Sequence, residues 1–177
     1  MADNGSVVFT MKDPKGISIL LIRMKGEIMW EISGGARKEG QTTLQAAQER
    51  LLKETTINTQ FHKVEPFYSS TQKDGSVFDV YHEHRNYLLA LESESEVAEI
   101  KTFTLDEILG MRSMSGNSKD KIRYASFKAI LMCFGAKDLS GSGYNEENLS
   151  NPIAFNNFKY FNRGYESILF CWYPESN

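Results

Sequence analysis

The sequence predicts an α+β domain, on three observations. Runs of β-branched residues dominate the first thirty positions, two amphipathic helical patterns lie well apart at 43–55 and 118–136, and strands and helices do not alternate as they would in a doubly wound sheet.

The elements follow in order. "SVVFTM" (6–11) and "ISILLIRM" (17–24) flank "KDPKG", where Asp13, Pro14 and Gly16 supply turn chemistry, so they read as a hairpin or as neighbouring strands. After Lys25-Gly26 a third extended stretch, "EIMWEIS", runs until Gly34-Gly35 stops it. From Thr43, Leu44, Ala47, Leu51 and Leu52 recur at three- and four-residue spacing, which predicts a helix to about Thr55. "QFHKVEPFYSS" and "SVFDVYHEHRNYLLALE" both read as long strands joined by a hairpin turn at Lys73 to Gly75. "ESESE" (92–96) is an acidic loop, "EIKTF" (99–103) a short strand, and "TLDEIL" opens a short helix with the capping-box pair Thr104 and Glu107. "SKDKIRYASFKAILMCFGA" (118–136) predicts a longer helix with a Ser118 cap, a Gly135 stop, and Ile122, Ala125, Ala129, Ile130 and Met132 to Phe134 on one apolar surface.

Composition changes after Leu139. "SGSGYNEENLSNP" is linker-like and "FNNFKYFNRG" interleaves aromatics with asparagines, so the chain divides into a domain at 1–138 and an aromatic, Asn-rich extension at 139–177 that packs on the domain or on a partner. At 177 residues, with 41% hydrophobic and 24% charged side chains, one folded domain is expected and wholesale disorder is not. A net charge of −3 disfavours nucleic acid as a partner, although Phe155, Phe158, Tyr160, Phe161 and Tyr165 suit base stacking, intramolecular packing or a homodimer contact. No apolar run is long enough to span a bilayer and "MADNGSVVF" has no signal-peptide pattern, so a cytoplasmic location without membrane contact is expected. Cys133 and Cys171 sit in apolar surroundings without C-x-x-C spacing and read as reduced core residues.

One stretch carries chemistry. "WEISGGARKEGQTTLQAAQERLLKETT" (30–56) is a strand, two glycines and a helix bearing mixed charge. It resembles the Nudix family, whose hallmark is G-x5-E-x7-R-E-U-x-E-E-x-G-U, U being a bulky aliphatic. With Gly35 on the motif's first glycine, "AAQERLLKETTI" falls on the family's usual "AAxREUxEETGU" without a gap. The resemblance covers about three quarters of the chain, 5–136, and implies an α/β/α sandwich with a mixed sheet. It also implies hydrolysis of nucleoside diphosphate derivatives, with Mg²⁺ or Mn²⁺ held by helix carboxylates. The sequence departs from the motif where that chemistry sits. Gln41 stands for the first glutamate, Glu49-Arg50 for Arg-Glu, Lys53-Glu54 for Glu-Glu and Thr56 for the late glycine, so Glu54 is the carboxylate kept in place.

Two cations where two anions hold a dication change the electrostatics by several kcal/mol: unit charges at ~4 Å interact by roughly 4 kcal/mol at an effective dielectric near 20. The leading expectation is therefore a non-catalytic module with a degenerate Nudix box and no cofactor. It would bind a nucleotide-like small molecule or a protein partner through Gly34, Gly35, Arg37, Lys38, Arg50 and Lys53, with Arg50 and Glu54 spaced for an ion pair. Gly34 and Gly35 either admit a phosphate or supply a turn at positive φ. The competing expectation is a working pyrophosphohydrolase in which Glu54, Glu49 and Glu99, or Glu94 or Glu96 in the last place, regroup around Mg²⁺ or Mn²⁺. His82 and His84 share one strand face and read as surface imidazoles without a third metal ligand.

Overall fold

The computed structural model describes residues 2–14, 16–92, 94–111 and 120–134. The expected Ser118 cap, Gly135 stop, Cys171 and extension 139–177 lie outside those residues. Strands β1 (Asn4–Asp13), β2 (Gly16–Met24), β5 (Tyr68–Thr71), β6 (Val77–Arg85) and β7 (Val97–Phe103) form one mixed sheet in the order β5-β6-β1-β2-β7. Only β1 and β6 run parallel in it; the first two strands make the expected hairpin, with Asp13 opposite Gly16. β4 (Ser33–Ala36) adds to the N-terminal half of β1, and β3 (Met29–Trp30) pairs with β8 (Lys121–Ile122) in a separate two-stranded sheet.

Helices cover both faces. β1 alternates its side chains, so Val7, Phe9 and Met11 meet Ala47 and Leu51 of α1 (Thr43–Thr55), whereas Val8 joins Ile108 of α2 (Leu105–Gly110) and Phe127 and Ile130 of α3 (Tyr124–Cys133). A central strand buried on both faces reads as the continuous apolar run seen at 7–9. Each fully buried Phe, Leu or Ile contributes about 1.5–3 kcal/mol. The result is an α/β/α sandwich with a mixed sheet, as the sequence led us to expect. α1 begins with a reciprocal capping box between Thr42 and Gln45, and Thr104 and Glu107 do the same for α2.

Several elements differ from expectation, each for a visible reason. The segment 60–67 is not a strand. Two of its amides are bonded to side chains instead, Phe61 N to Gln48 Oε1 and His62 N to Glu83 Oε1; Phe67 N reaches the Val80 carbonyl, and a strand proper begins at Tyr68. β6 ends at Arg85, so "NYLLALE" leaves the sheet and exposes Tyr87 and Leu88. Gly34 and Gly35 do not end the third extended stretch; they lie inside β4, opposite Ser6 and Gly5, and neither has a positive φ. Glycine is needed there for closeness, since a Cβ on Gly34 would stand 2.0 Å from Ser6 Oγ and one on Gly35 2.8 Å from Arg50 Nε. Lys121 and Ile122 form a strand beside Trp30 rather than the first turn of a helix, and Ala125 faces solvent. On α1, Leu52 is exposed and Glu54 buried, the reverse of what an apolar stripe predicts. His82 and His84 are buried, not on the surface. Both imidazoles lie 2.8 Å from the Thr10 hydroxyl, which gives the buried rings a polar partner. Cys133 is a free, buried core thiol.

Candidate functional site

The last turns of α1 lie against β4 and the residue before it. Trp30 and Ile32 point into the core beneath α2 and α3, so the alternation of an extended chain turns Glu31 and Ser33 towards α1. Glu54, with 3% of its side chain exposed, meets Ser33 there. Its Oε1 accepts hydrogen bonds from Ser33 Oγ at 2.9 Å and Gly34 N at 3.3 Å, and its Oε2 from Arg50 Nη2 at 3.3 Å. Burial pushes the Glu54 carboxyl above the usual carboxylate range. Arg50, Ser33 and Gly34 pull it back, and nearby Glu31 adds to the rise.

Glu31 is raised in the same way, by burial first, with Arg123 opposing and Arg50 acting more weakly in the same sense as Arg123. Arg123 donates from Nε to Glu31 Oε2 at 2.7 Å and from Nη2 to Glu27 Oε2 at 3.0 Å. Two ion-paired groups result, Arg123 with Glu27 and Glu31 and Arg50 with Glu54, and Arg50 acts on Glu31 only through space. Arg50 lies with its aliphatic arm over Gly35, where any Cβ would collide with it. Its Nε is buried and meets no acceptor among the described residues. An orphaned guanidinium donor costs about 1–3 kcal/mol or more and marks a place where an acceptor belongs.

The other expected site residues are elsewhere. Arg37 binds Asp3 and the Gln41 carbonyl, tying the start of β1 to the loop before α1. Lys38 and Gln41 both donate to Glu49, which holds that carboxyl below its ordinary range, so the two motif positions Gln41 and Glu49 meet each other rather than Glu54. Lys53 is exposed. Glu99 sits on β7 and pairs with Arg23 at 3.3 Å, while Glu94 and Glu96 are exposed in the turn before it. The structure gathers Gly34, Gly35, Arg50 and Glu54, and leaves Glu49 and Glu99 in other ion pairs.

Nudix chemistry implies a hard dication, and the donors at this place do not fit one. The carboxylate in motif position has both oxygens engaged by three donors, and a guanidinium stands 3.3 Å from it. Among the described residues no three His, Cys, Asp or Glu side chains converge as ligands would.

A separate pocket lies at the start of α3, among residues that the sequence does not single out. The helix that begins just after Arg123 turns Tyr124 into a pocket of about 140 Å³ with Tyr68, Ser70, Gln72, Phe78 and Lys128, and the Lys128 ammonium lies 5.6 Å from the Tyr68 ring centre. An apolar cavity of ~150 Å³ accommodates one benzene ring. Glu31 is legible as the polar neighbour of Trp30 and Ile32 in an alternating stretch; Arg123 and Tyr124 are not, because the helical pattern at 118–136 places them in a helix interior.

The chain belongs to the NUDIX domain family: the family model matches residues 3–124. Solved structures agree in fold. An Ap4A hydrolase of C. elegans in a binary complex is 17% identical, with 59% of this chain and 81% of that one covered and a TM-score of 0.52. The NUDIX domain of Shewanella oneidensis NrtR, complexed with ADP ribose, is 18% identical, with 62% and 76% covered and a TM-score of 0.51. A MutT/nudix family protein of Enterococcus faecalis is 13% identical, with 96% and 80% covered and a TM-score of 0.62. No curated protein matches the chain significantly. Among the described residues no helix is long and apolar enough to cross a membrane.

Proposed function

We propose that this NUDIX domain is a non-catalytic module that binds a nucleotide-like anion, with the Arg50 guanidinium standing where the family places a divalent cation. The observation that carries the reading is the buried Arg50 Nε without an acceptor, beside a Glu54 whose oxygens are already committed. A diphosphate oxygen is a suitable acceptor for that donor, and a planar guanidinium binds such oxygens strongly without any metal. The aromatic pocket lined by Tyr68, Phe78, Tyr124 and Lys128 offers faces for a base. Such stacking contributes about 1–3 kcal/mol per base.

In the competing reading, a hydrolase would hold Mg²⁺ or Mn²⁺ through Glu54 with Glu49 or Glu99. It requires Glu49 to leave Lys38 and Gln41, or Glu99 to leave Arg23. Calorimetric titration with ADP-ribose and with Ap4A, ligands of two similar folds, separates the readings when run in EDTA, Mg²⁺ and Mn²⁺ beside a product assay. The module predicts binding in EDTA that Arg50→Ala weakens by about tenfold or more, without turnover. Metal-dependent turnover lost in Glu54→Gln overturns it, and absence of any binding points to a protein ligand instead.

A further inference from the structure

Strand β7 is an edge of the main sheet, paired on one side only among the described residues. Which backbone groups it leaves open follows from β2. Ile22 exchanges both of its backbone bonds with Glu31, at 2.8 Å each way, so its N–H and C=O point away from β7. Ile22 stands opposite Ile100, which is therefore a pair without ladder bonds. Antiparallel ladders alternate, so the bonds to β2 run through Lys101 and Glu99, opposite Leu21 and Arg23. The N–H and C=O of Ile100 and Thr102 consequently face the open side, whereas at Ala98 a β-bulge, where the pairing steps from Arg23 and Glu99 to Met24 and Val97, interrupts the alternation. An edge of this kind is a template for another strand.

The side chains specify which strand. Glu99 and Lys101 are both exposed and, two residues apart, share one face. The first is steadied there by Arg23 at 3.3 Å, and the second lies 5.3 Å from the Phe103 ring centre. A lysine on an edge strand discourages indiscriminate pairing. One arrangement satisfies both charges, namely a second copy of β7 laid antiparallel about a two-fold axis at Ile100. Ile100 then faces its own copy through the outward-pointing backbone groups, and Thr102 of each copy lies opposite the bulged Ala98 of the other. Glu99 faces Lys101 of the second copy twice, at the positions without ladder bonds, where cross-strand side chains come closest. Sliding one step either way places Glu99 opposite Glu99, or Lys101 opposite Lys101, so the charges select this register against its neighbours.

We propose that the protein forms a two-fold dimer in which β7 of one copy pairs with β7 of another into one continuous sheet, held in register by two Glu99 to Lys101 contacts. The interface is isologous, as a closed dimer requires. Sedimentation equilibrium on the full chain tests it. The wild type should dimerise with concentration, and Glu99→Lys and Lys101→Glu should each weaken the dimer by about tenfold or more, since each turns two attractions into repulsions. An equimolar mixture of the two variants should recover the dimer, because each lysine-bearing edge then faces a glutamate-bearing one, and so should a chain carrying both changes. A wild type that is monomeric at every concentration overturns the proposal, as does a dimer indifferent to either single change.

Discussion

Arg50 and Glu54 lie one helical turn apart and meet at 3.3 Å, the acid 3% exposed and the guanidinium side chain 26%. An exposed pair at this spacing would contribute only a few tenths of a kcal/mol. Here the carboxylate is buried and also receives Ser33 and Gly34, so removing it strands three donors. Glu54→Ala should cost about 2–3 kcal/mol in urea unfolding, less than a fully buried pair would because Arg50 is partly wet. A loss under 0.5 kcal/mol, the ordinary range of a neutral surface change, would contradict the geometry.

The two glycines of β4 should respond differently to alanine. At Gly34 the new Cβ would stand 2.0 Å from Ser6 Oγ and 2.7 Å from Ser6 Cα, so strands β1 and β4 must part, at about 2–3 kcal/mol. At Gly35 it meets the flexible Arg50 arm, so we expect about 1 kcal/mol or less together with displacement of Arg50 and weaker anion binding. Denaturation midpoints and ligand titrations of the two variants check the order.

Thr56 occupies the motif's late-glycine position and is the one described non-glycine residue with positive φ, at 64°. It caps α1 in the left-handed conformation, which a β-branched side chain resists. Thr56→Gly should raise stability by about 0.5–1 kcal/mol, the relief of strain exceeding the extra chain entropy of glycine. Unchanged or lower stability would show that the loop imposes the strain regardless.

Much of the fold was legible because it depends on local chemistry: the turn residues at 13–16, the Thr104 and Glu107 box, and the stripe of Ala47 and Leu51. The errors fell where tertiary partners replaced local ones. Gln48 and Glu83 took the amides of 61 and 62, and Trp30 drew Ile122 into a strand. Within the site, the Arg50 and Glu54 pair could be read from spacing. Its joining to Ser33 and Gly34, and the pairing of Glu31 with Arg123 nearby, depend on a helix, a strand and a distant helix start meeting, which no linear pattern encodes.

Acid should destabilise the protein through its buried imidazoles. Burial, then the charge of His84, holds His82 well below 6.5, and His84 is lowered too, burial leading. The unfolded chain therefore binds protons that the folded chain refuses once pH falls below 6.5, and stability declines from there towards the folded values. Glu54 and Glu31, raised in the folded state, act oppositely: their contribution grows as pH falls through their folded values and is complete below 4.5. Urea midpoints between about pH 7.5 and 5 should fall with acid, and less steeply in His82→Gln, if the imidazoles dominate that window.

The charge at position 50 is tested most directly by calorimetric titration of Mg²⁺ and Mn²⁺ into the wild type and into the variant carrying Arg50→Glu and Lys53→Glu. We expect no saturable metal binding by the wild type into the millimolar range, and binding by the variant, which restores two acids beside Glu54. Saturable wild-type binding that disappears in Glu54→Gln would contradict this expectation.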